Sequence, residues 1–405
     1  MLRKNGPEIS YLIVFYRIIC TSASFFLILS VISCGQDKKV SDLNYPSRNP
    51  NWQMVVDTNY PACVPQNSAA VIRTTKGGIQ YVRTPDYRFN NLPGYPFKPN
   101  YVLIDGLRMH YVDEGPKNGE VILMLHGQPS WSYLYRKMVP VLAKAGYRAI
   151  ALDLIGTGRS DKPIELGIHT FEQQVKWVKK FIREQKLKQI TLFCQDWGGL
   201  IGLRIAGDRP GDFARIVAAN TTLPVMKKGE NPLYVPNPVK IDCSVPDNFI
   251  LAIGLASLEK FPQSFQRWIN YCLSAPNMEP GQVLEAATVI DLTPAEKAAY
   301  NAPYPDIIYK ASPRAFPSMM AAIEDNNQQA WENLGKFEKP FLTFAGEKDK
   351  LLGTKERINL LINHIPGAKG QSHERFNANH FIQEDVGEIL AEKTVQFIKN
   401  NPVRK

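Results

Sequence analysis

Five short apolar runs punctuate the chain, each bounded by turn-forming or charged residues: Val121–Leu125, Tyr147–Leu152, Gln189–Cys194, Ala214–Ala219 and Pro340–Ala345. Continuous runs of this length suit strands buried on both faces. Helical stretches lie between them: Tyr135–Ala145, Thr170–Gln185 (apolar at Val175, Val178 and Ile182) and Gly199–Gly207. Alternating strand and helix predicts an α/β fold, a mainly parallel sheet covered by helices on both faces. The alternation stops at about Pro224 and resumes at about Pro340. The intervening segment is rich in proline, aromatics and helix-like stretches, and reads as an inserted, mostly helical cap. The expected division is a core of 81–223 and 339–405 around a cap of 224–338.

A different pattern opens the chain. Arg3, Lys4 and Arg17 precede an apolar run from Ile18 through Phe25, Phe26, Leu27 and Leu29 to Ile32, followed by Ser33, Cys34 and Gly35. Positive start, apolar stretch and small residues are the order of a secretory signal. The run is short for a bilayer-spanning helix, which needs about 20 residues. Val31 to Cys34 resemble the bacterial lipobox, which implies removal of residues 1–33 and acylation of Cys34, palmitate included. Several acyl chains anchor a protein far more firmly than one. Gly35 stands where an aspartate is associated with inner-membrane retention, so the expected location is the bacterial outer membrane, on its periplasmic or surface face. A soluble export signal or an uncleaved anchor is the alternative. Residues 34–80 are polar and carry Pro46, Pro50, Pro61, Pro65 and Gly77-Gly78; they read as a tether between lipid and domain.

Composition narrows the classes. In 405 residues, 44% are hydrophobic and 21% charged, which excludes wholesale disorder and coiled coil. The net charge of +10 is spread without a dense basic run, so no nucleic-acid partner is expected. A basic protein also suits an anionic membrane surface. Beyond Cys20 and Cys34, Cys63, Cys194, Cys243 and Cys272 lie far apart and prescribe no bridges, although an exported chain permits them.

Candidate chemistry clusters where strands end, as ligand groups do in parallel sheets. After the run at 189–194 comes Cys194-Gln195-Asp196-Trp197-Gly198-Gly199. An acid flanked by small residues between strand and helix has the shape of a nucleophile elbow, with Asp196 in the place serine usually takes. A carboxylate there attacks carbon and forms an ester. The absence of G-x-S-x-G disfavours a serine esterase, and a surface Asp-Gly turn is the plain structural alternative. After 121–125 comes His126-Gly127-Gln128-Pro129, similar to the HGxP oxyanion-hole loop of α/β hydrolases. Backbone N–H groups of Gln128 and Trp197 would converge on the developing negative charge. After 340–345 comes Gly346-Glu347-Lys348-Asp349-Lys350, and thirty-one residues beyond Asp349 stands His380. Nucleophile, acid, histidine is the chain order of that fold. Asp349 would orient His380, and His380 would take a proton from water. His110, His126, His169, His364 and His373 show no metal spacing, so no metal and no cofactor are expected. Gly156-Thr157-Gly158-Arg159-Ser160-Asp161 lacks the third glycine of a dinucleotide loop and reads as a tight turn.

These residues resemble a haloalkane dehalogenase of the α/β-hydrolase fold. The matching stretches include Arg83-Thr84-Pro85-Asp86-Tyr87-Arg88-Phe89, His126 to Lys137, Gln195 to Gly199, Tyr300-Asn301-Ala302-Pro303-Tyr304-Pro305-Asp306 and Lys348 to Gly353. The resemblance runs from about Tyr81 to Ile398. It implies that Asp196 displaces halide from a small apolar halogenated substrate, and that His380 then activates water to hydrolyse the ester. It also implies two halide donors. Trp197 matches the first. The second is a cap tryptophan in the best-known members, but Ala286-Ala287-Thr288-Val289-Ile290 has none; the Gln128 side chain or Trp268 is the substitute. Phe249, Phe261, Phe265 and Trp268 are candidates for the wall of an apolar slot. Two rivals remain. An epoxide hydrolase shares the acid–histidine set but needs two cap tyrosines, from among Tyr271, Tyr300, Tyr304 and Tyr309. A non-catalytic lipoprotein binding an apolar ligand would use the same pocket. The sequence leaves the oligomeric state open.

Overall fold

The computed structural model describes residues 69–226, 263–275, 278–320, 323 and 327–403. The signal segment, Cys34, Cys63, Cys243, Phe249 and Phe261 lie outside them.

Eleven strands are described: β1 (Arg73–Thr74), β2 (Gln80–Val82), β3 (Asn100–Ile104), β4 (Leu107–Glu114), β5 (Val121–Leu125), β6 (Arg148–Leu152), β7 (Lys162–Pro163), β8 (Ile190–Gln195), β9 (Phe213–Ala219), β10 (Phe341–Gly346) and β11 (Glu374–Phe376). Eight form one sheet in the order β11-β10-β9-β8-β5-β6-β4-β3. The pairs from β11 to β6 are parallel; β6-β4 and β4-β3 are antiparallel. The five apolar runs are the consecutive central strands. Their residues alternate between two buried clusters, as a two-residue period requires. Leu123, Leu125, Leu192, Cys194 and Ile216 face one; Ile122, Met124, Phe193, Val217 and Phe344 face the other.

Helices cover both faces. On the first lie α2 (Phe171–Glu184) and α3 (Asp196–Asp208), on the second α1 (Val139–Lys144) and the long C-terminal helix Ile382–Asn400. Thr170 caps α2, its hydroxyl accepting from Gln173 N at 3.1 Å. Helix α1 is shorter than the expected Tyr135–Ala145. Ser132–Tyr135 is a 3-10 turn instead, and Pro140 sits in the first turn of α1, where its missing N–H costs nothing.

The β3–β4 hairpin was not anticipated. Its strands mix polar and apolar residues, so no continuous run marks them. The signal present is Asp105-Gly106, both at positive φ (53° and 82°), a tight hairpin turn. Nor is the stretch just before Gln80 unpaired: Arg73 and Thr74 lie opposite Tyr81 and Gln80, so strand structure begins inside the segment read as tether. Residues 156–161 form a turn, with Gly156 and Gly158 at φ of 95° and 47°.

Between β9 and β10 lie the helices Gln263–Ser274, Pro280–Ala286, Pro294–Asn301, Ala311–Met319 and Gln328–Leu334. The last packs on α3: Asn333 Nδ2 donates to Gly207 O at 3.0 Å, and a Cβ on Gly207 would meet Ala330 O. It therefore sits with the core although the sequence pattern put it in the cap. A buried ionic cluster ties helix Pro294–Asn301 to the sheet domain. Arg136 pairs with Glu296 (2.7 Å) and with both oxygens of Glu384, and the Tyr300 hydroxyl also donates to Glu384.

Candidate active site

Strand β8 delivers Asp196 at the start of α3. Its φ is 48°, the left-handed region that an L-residue enters only at a cost of about 1–3 kcal/mol. The glycines beyond it make this turn possible. A Cβ on Gly198 would come within 2.1 Å of Leu125 O, and one on Gly199 within 2.0 Å of Thr221 Oγ1. Cys194, bulkier than the usual glycine, points into the apolar cluster under α3, its thiol 3.7 Å from Val217 O.

The Asp196 carboxylate is nearly buried. Its Oδ2 accepts the Gln128 backbone N–H at 2.9 Å, and the Trp197 backbone N–H also points at it. Gly127 must be glycine, since its Cβ would lie 2.2 Å from Asp196 Oδ2. Burial raises the Asp196 pKa; His380 and the two amides work the other way.

His380 faces Asp196 from the loop after β11, with Nε2 3.7 Å from Asp196 Oδ1. Its Nδ1 lies 2.9 Å from Asp349 Oδ2, and Asp349 Oδ1 accepts from Leu351 N and Leu352 N, each at 2.9 Å. Burial opposes the Asp349 charge, but His380 and these amides hold its pKa below the usual carboxylate value. Burial likewise opposes the imidazolium, yet Asp349 and then Asp196 push the His380 pKa up to about 8.

Two further side chains hold this histidine, and the sequence pattern singled out neither for it. Asn220, at the end of β9, donates to Asn379 O (2.9 Å) and His380 O (3.0 Å) and accepts from Gly346 N (2.8 Å). Gln195, beside the elbow acid, reaches His380 with its amide nitrogen.

A cavity of ≈ 260 Å³ opens beside Asp196 and His380. Trp197, Phe265, Trp268, Val283, Ala286, Ala287, Leu351 and Phe381 form its apolar wall, with Gln128 and Asn379 beside them. Lys348 and Lys350 line it too, and both are exposed. The Trp197 ring is held by Phe316 (5.5 Å) and Phe171 (6.4 Å).

The Gln128 side chain lines the cavity, but its amide is engaged with the cap. Its Nε2 donates to Pro313 O at 2.9 Å and approaches Cys272 Sγ at 3.6 Å. The cause is local. In helix Ala311–Met319, the Pro313 carbonyl would pair with the N–H of residue 317, but that residue is proline and has none. Gln128 takes the vacant acceptor, so only its backbone N–H serves Asp196. Trp268 lines the cavity and stacks on Tyr271 at 5.5 Å.

None of Tyr271, Tyr300, Tyr304 or Tyr309 is among the residues lining the cavity. Tyr300 is committed to Glu384, and Tyr304 packs with Val82, Ile308 and Tyr309 in a separate cluster. Cys194 and Cys272 are free, buried thiols.

A family profile described as alpha/beta hydrolase fold matches residues 120–385. A haloalkane dehalogenase of Mycobacterium marinum is 44% identical over 329 residues, which is 79% of this chain and 100% of that protein. One from Psychrobacter cryohalolentis is 41% identical over 335 residues, 80% of this chain and 100% of its own length. Among solved structures, the tetrameric haloalkane dehalogenase of Paraglaciecola agarilytica is similar at a TM-score of 0.63 and 31% identity, covering 78% of this chain and 97% of that one.

Proposed function

The chain belongs to the haloalkane dehalogenases of the α/β-hydrolase fold, and from that footing we propose that Asp196, His380 and Asp349 carry out a two-step hydrolytic dehalogenation. The protein is a hydrolase that splits carbon–halogen bonds. In the first step an Asp196 oxygen attacks the carbon in line with the halogen. A C–O bond forms, the C–X bond breaks, and halide leaves with the electron pair. In the second step His380 Nε2 takes a proton from water, whose oxygen attacks the Asp196 carboxyl carbon. Negative charge on the tetrahedral intermediate falls at the Gln128 and Trp197 backbone N–H groups. Collapse restores the carboxylate and releases the alcohol; the proton leaves through His380. The Nδ1–H bond to Asp349 places the lone pair of the neutral ring on Nε2, the nitrogen that faces Asp196.

The observation that carries this reading is the convergence on one cavity of a carboxylate, two amides and an acid-backed imidazole, walled by apolar side chains. Dry walls strengthen each dipole aimed at the departing charge. Trp197 supplies one indole N–H for the halide. We assign the second to Trp268, since the Gln128 amide is engaged with the cap and Ala286 and Ala287 present only methyl groups. The test is halide release from chloro-, bromo- and iodoalkanes by the purified protein; formation of a diol from styrene oxide without halide release from any of them would reverse the assignment.

We further read residues 1–33 as a lipoprotein signal and Cys34 as the acylated residue that tethers the enzyme to the bacterial outer membrane. The charged start, the short apolar run and the small residues around Cys34 support this.

A further inference from the structure

We propose that Gln195 is a positioning residue that holds His380 in its neutral, base-competent form. The Gln195 amide nitrogen lies 3.2 Å from His380 Nε2 and 3.1 Å from the His380 backbone carbonyl. Both hydrogens of one amide group are thus directed at one residue. The carbonyl contact decides which end of the amide faces the ring, since the reverse orientation would set oxygen against oxygen. That orientation leaves Gln195 Oε1 buried with no hydrogen-bond partner among the described residues.

What the donor meets depends on the protonation of His380. Asp349 accepts from Nδ1, so in the neutral ring Nε2 carries the lone pair, and the Gln195 N–H points at it. In the imidazolium, an N–H would point at an N–H. A hydrogen bond available only to the neutral form favours that form.

Two carboxylates beside the ring pull in the opposite direction. Asp349 from the loop after β10 and Asp196 from the elbow both favour the cation. Lys348 and Lys350 line the same cavity, exposed to water. On the histidine's own segment, Glu384 is paired with Arg136 and Lys137, and Asp385 accepts the amides of Val289, Ile290 and Asn379. Among the described residues, the cap side chains lining the cavity, Phe265, Trp268, Val283, Ala286 and Ala287, carry no charge. Gln195 is thus the neutral counterweight to two carboxylates.

This inference rests on the two-step reading above, and the experiment separates the two. Rapid-quench turnover of a bromoalkane is followed across pH with the full chain and with Gln195→Met and Gln195→Leu. In the parent, a halide burst followed by slower alcohol release tests the two-step reading itself. In Gln195→Met, of similar size but without a donor, the burst rate should stay within about twofold. The acid limb of ester hydrolysis should move upward by about one pH unit, the worth of one hydrogen bond, and converge with the parent at high pH. Gln195→Leu, also without a donor, should move it the same way and carries the test if the methionine variant does not fold. An unmoved limb in the foldable variants would overturn the proposal. So would burst and hydrolysis falling in parallel at every pH, the signature of structural support alone.

Discussion

Gln128 and Pro313 are joined across the cap boundary by a single hydrogen bond of 2.9 Å, made possible by Pro317. One residue thereby does two jobs: its backbone N–H serves the elbow carboxylate, and its side chain latches the cap. Gln128→Ala keeps the first and deletes the second. The Pro313 carbonyl is then left unpaired, at a cost of about 1–3 kcal/mol. Pro317→Ala would return a helical donor to that carbonyl. Thermal unfolding of the two single variants and the double should therefore be non-additive, with Gln128→Ala costing less in the Pro317→Ala background. Additive losses would dissolve the link.

Asp196→Ala should lower halide release on the order of 10⁴-fold or more with the circular dichroism spectrum retained, because it removes the proposed nucleophile. His380→Phe should release one equivalent of halide and stop. The peptide containing Asp196 would then carry the mass of the alkyl group. A variant that turns over without such an adduct would contradict the covalent scheme.

The pH dependence follows from which charges His380 sees. In the free enzyme Asp349 and Asp196 hold its pKa at about 8. In the ester, Asp196 is neutral, so one of the two raising charges is gone and the pKa lies lower. With neutral His380 as the proposed base, ester hydrolysis falls as pH drops through that lower value and is flat above it. Alkylation needs only ionised Asp196, whose pKa is raised chiefly by burial, and fails at more acid pH. Between the two limbs the alkyl-enzyme should accumulate in stopped-time mass spectra; coincident limbs would rule this ordering out.

Two indoles are assigned to the halide. Trp197→Phe and Trp268→Phe should each slow the burst on the order of 10²-fold, by analogy with removing one donor from an oxyanion site, while leaving ester hydrolysis near the parent rate. Iodide quenching of tryptophan fluorescence should weaken in both. A Trp268→Phe protein with an unchanged burst would move the second donor elsewhere in the cavity.

Cys34→Ala addresses the anchor. Metabolic labelling with a palmitate analogue should mark the parent and not the variant, and the variant should leave the membrane fraction. Equal labelling and retention would remove the lipoprotein reading.

Periodicity and short motifs are local properties, and they revealed the central strands, the interrupted α/β pattern and the residue types at three strand ends. Those features follow from burial on both sheet faces and from the tight turn that Gly198 and Gly199 permit at Asp196. The β3–β4 hairpin escaped because its strands lack an unbroken apolar run, and Asp105-Gly106 alone had to announce it. Other relationships needed the folded chain. Gln195 meets His380 across 185 positions, Gln128 meets Pro313 across 185 more, and Arg136 meets Glu384 across 248. A linear pattern can say that an amide or a guanidinium is present. Which atom it satisfies is decided only when folding strips water from both partners and leaves each with whatever donor or acceptor lies within about 3 Å.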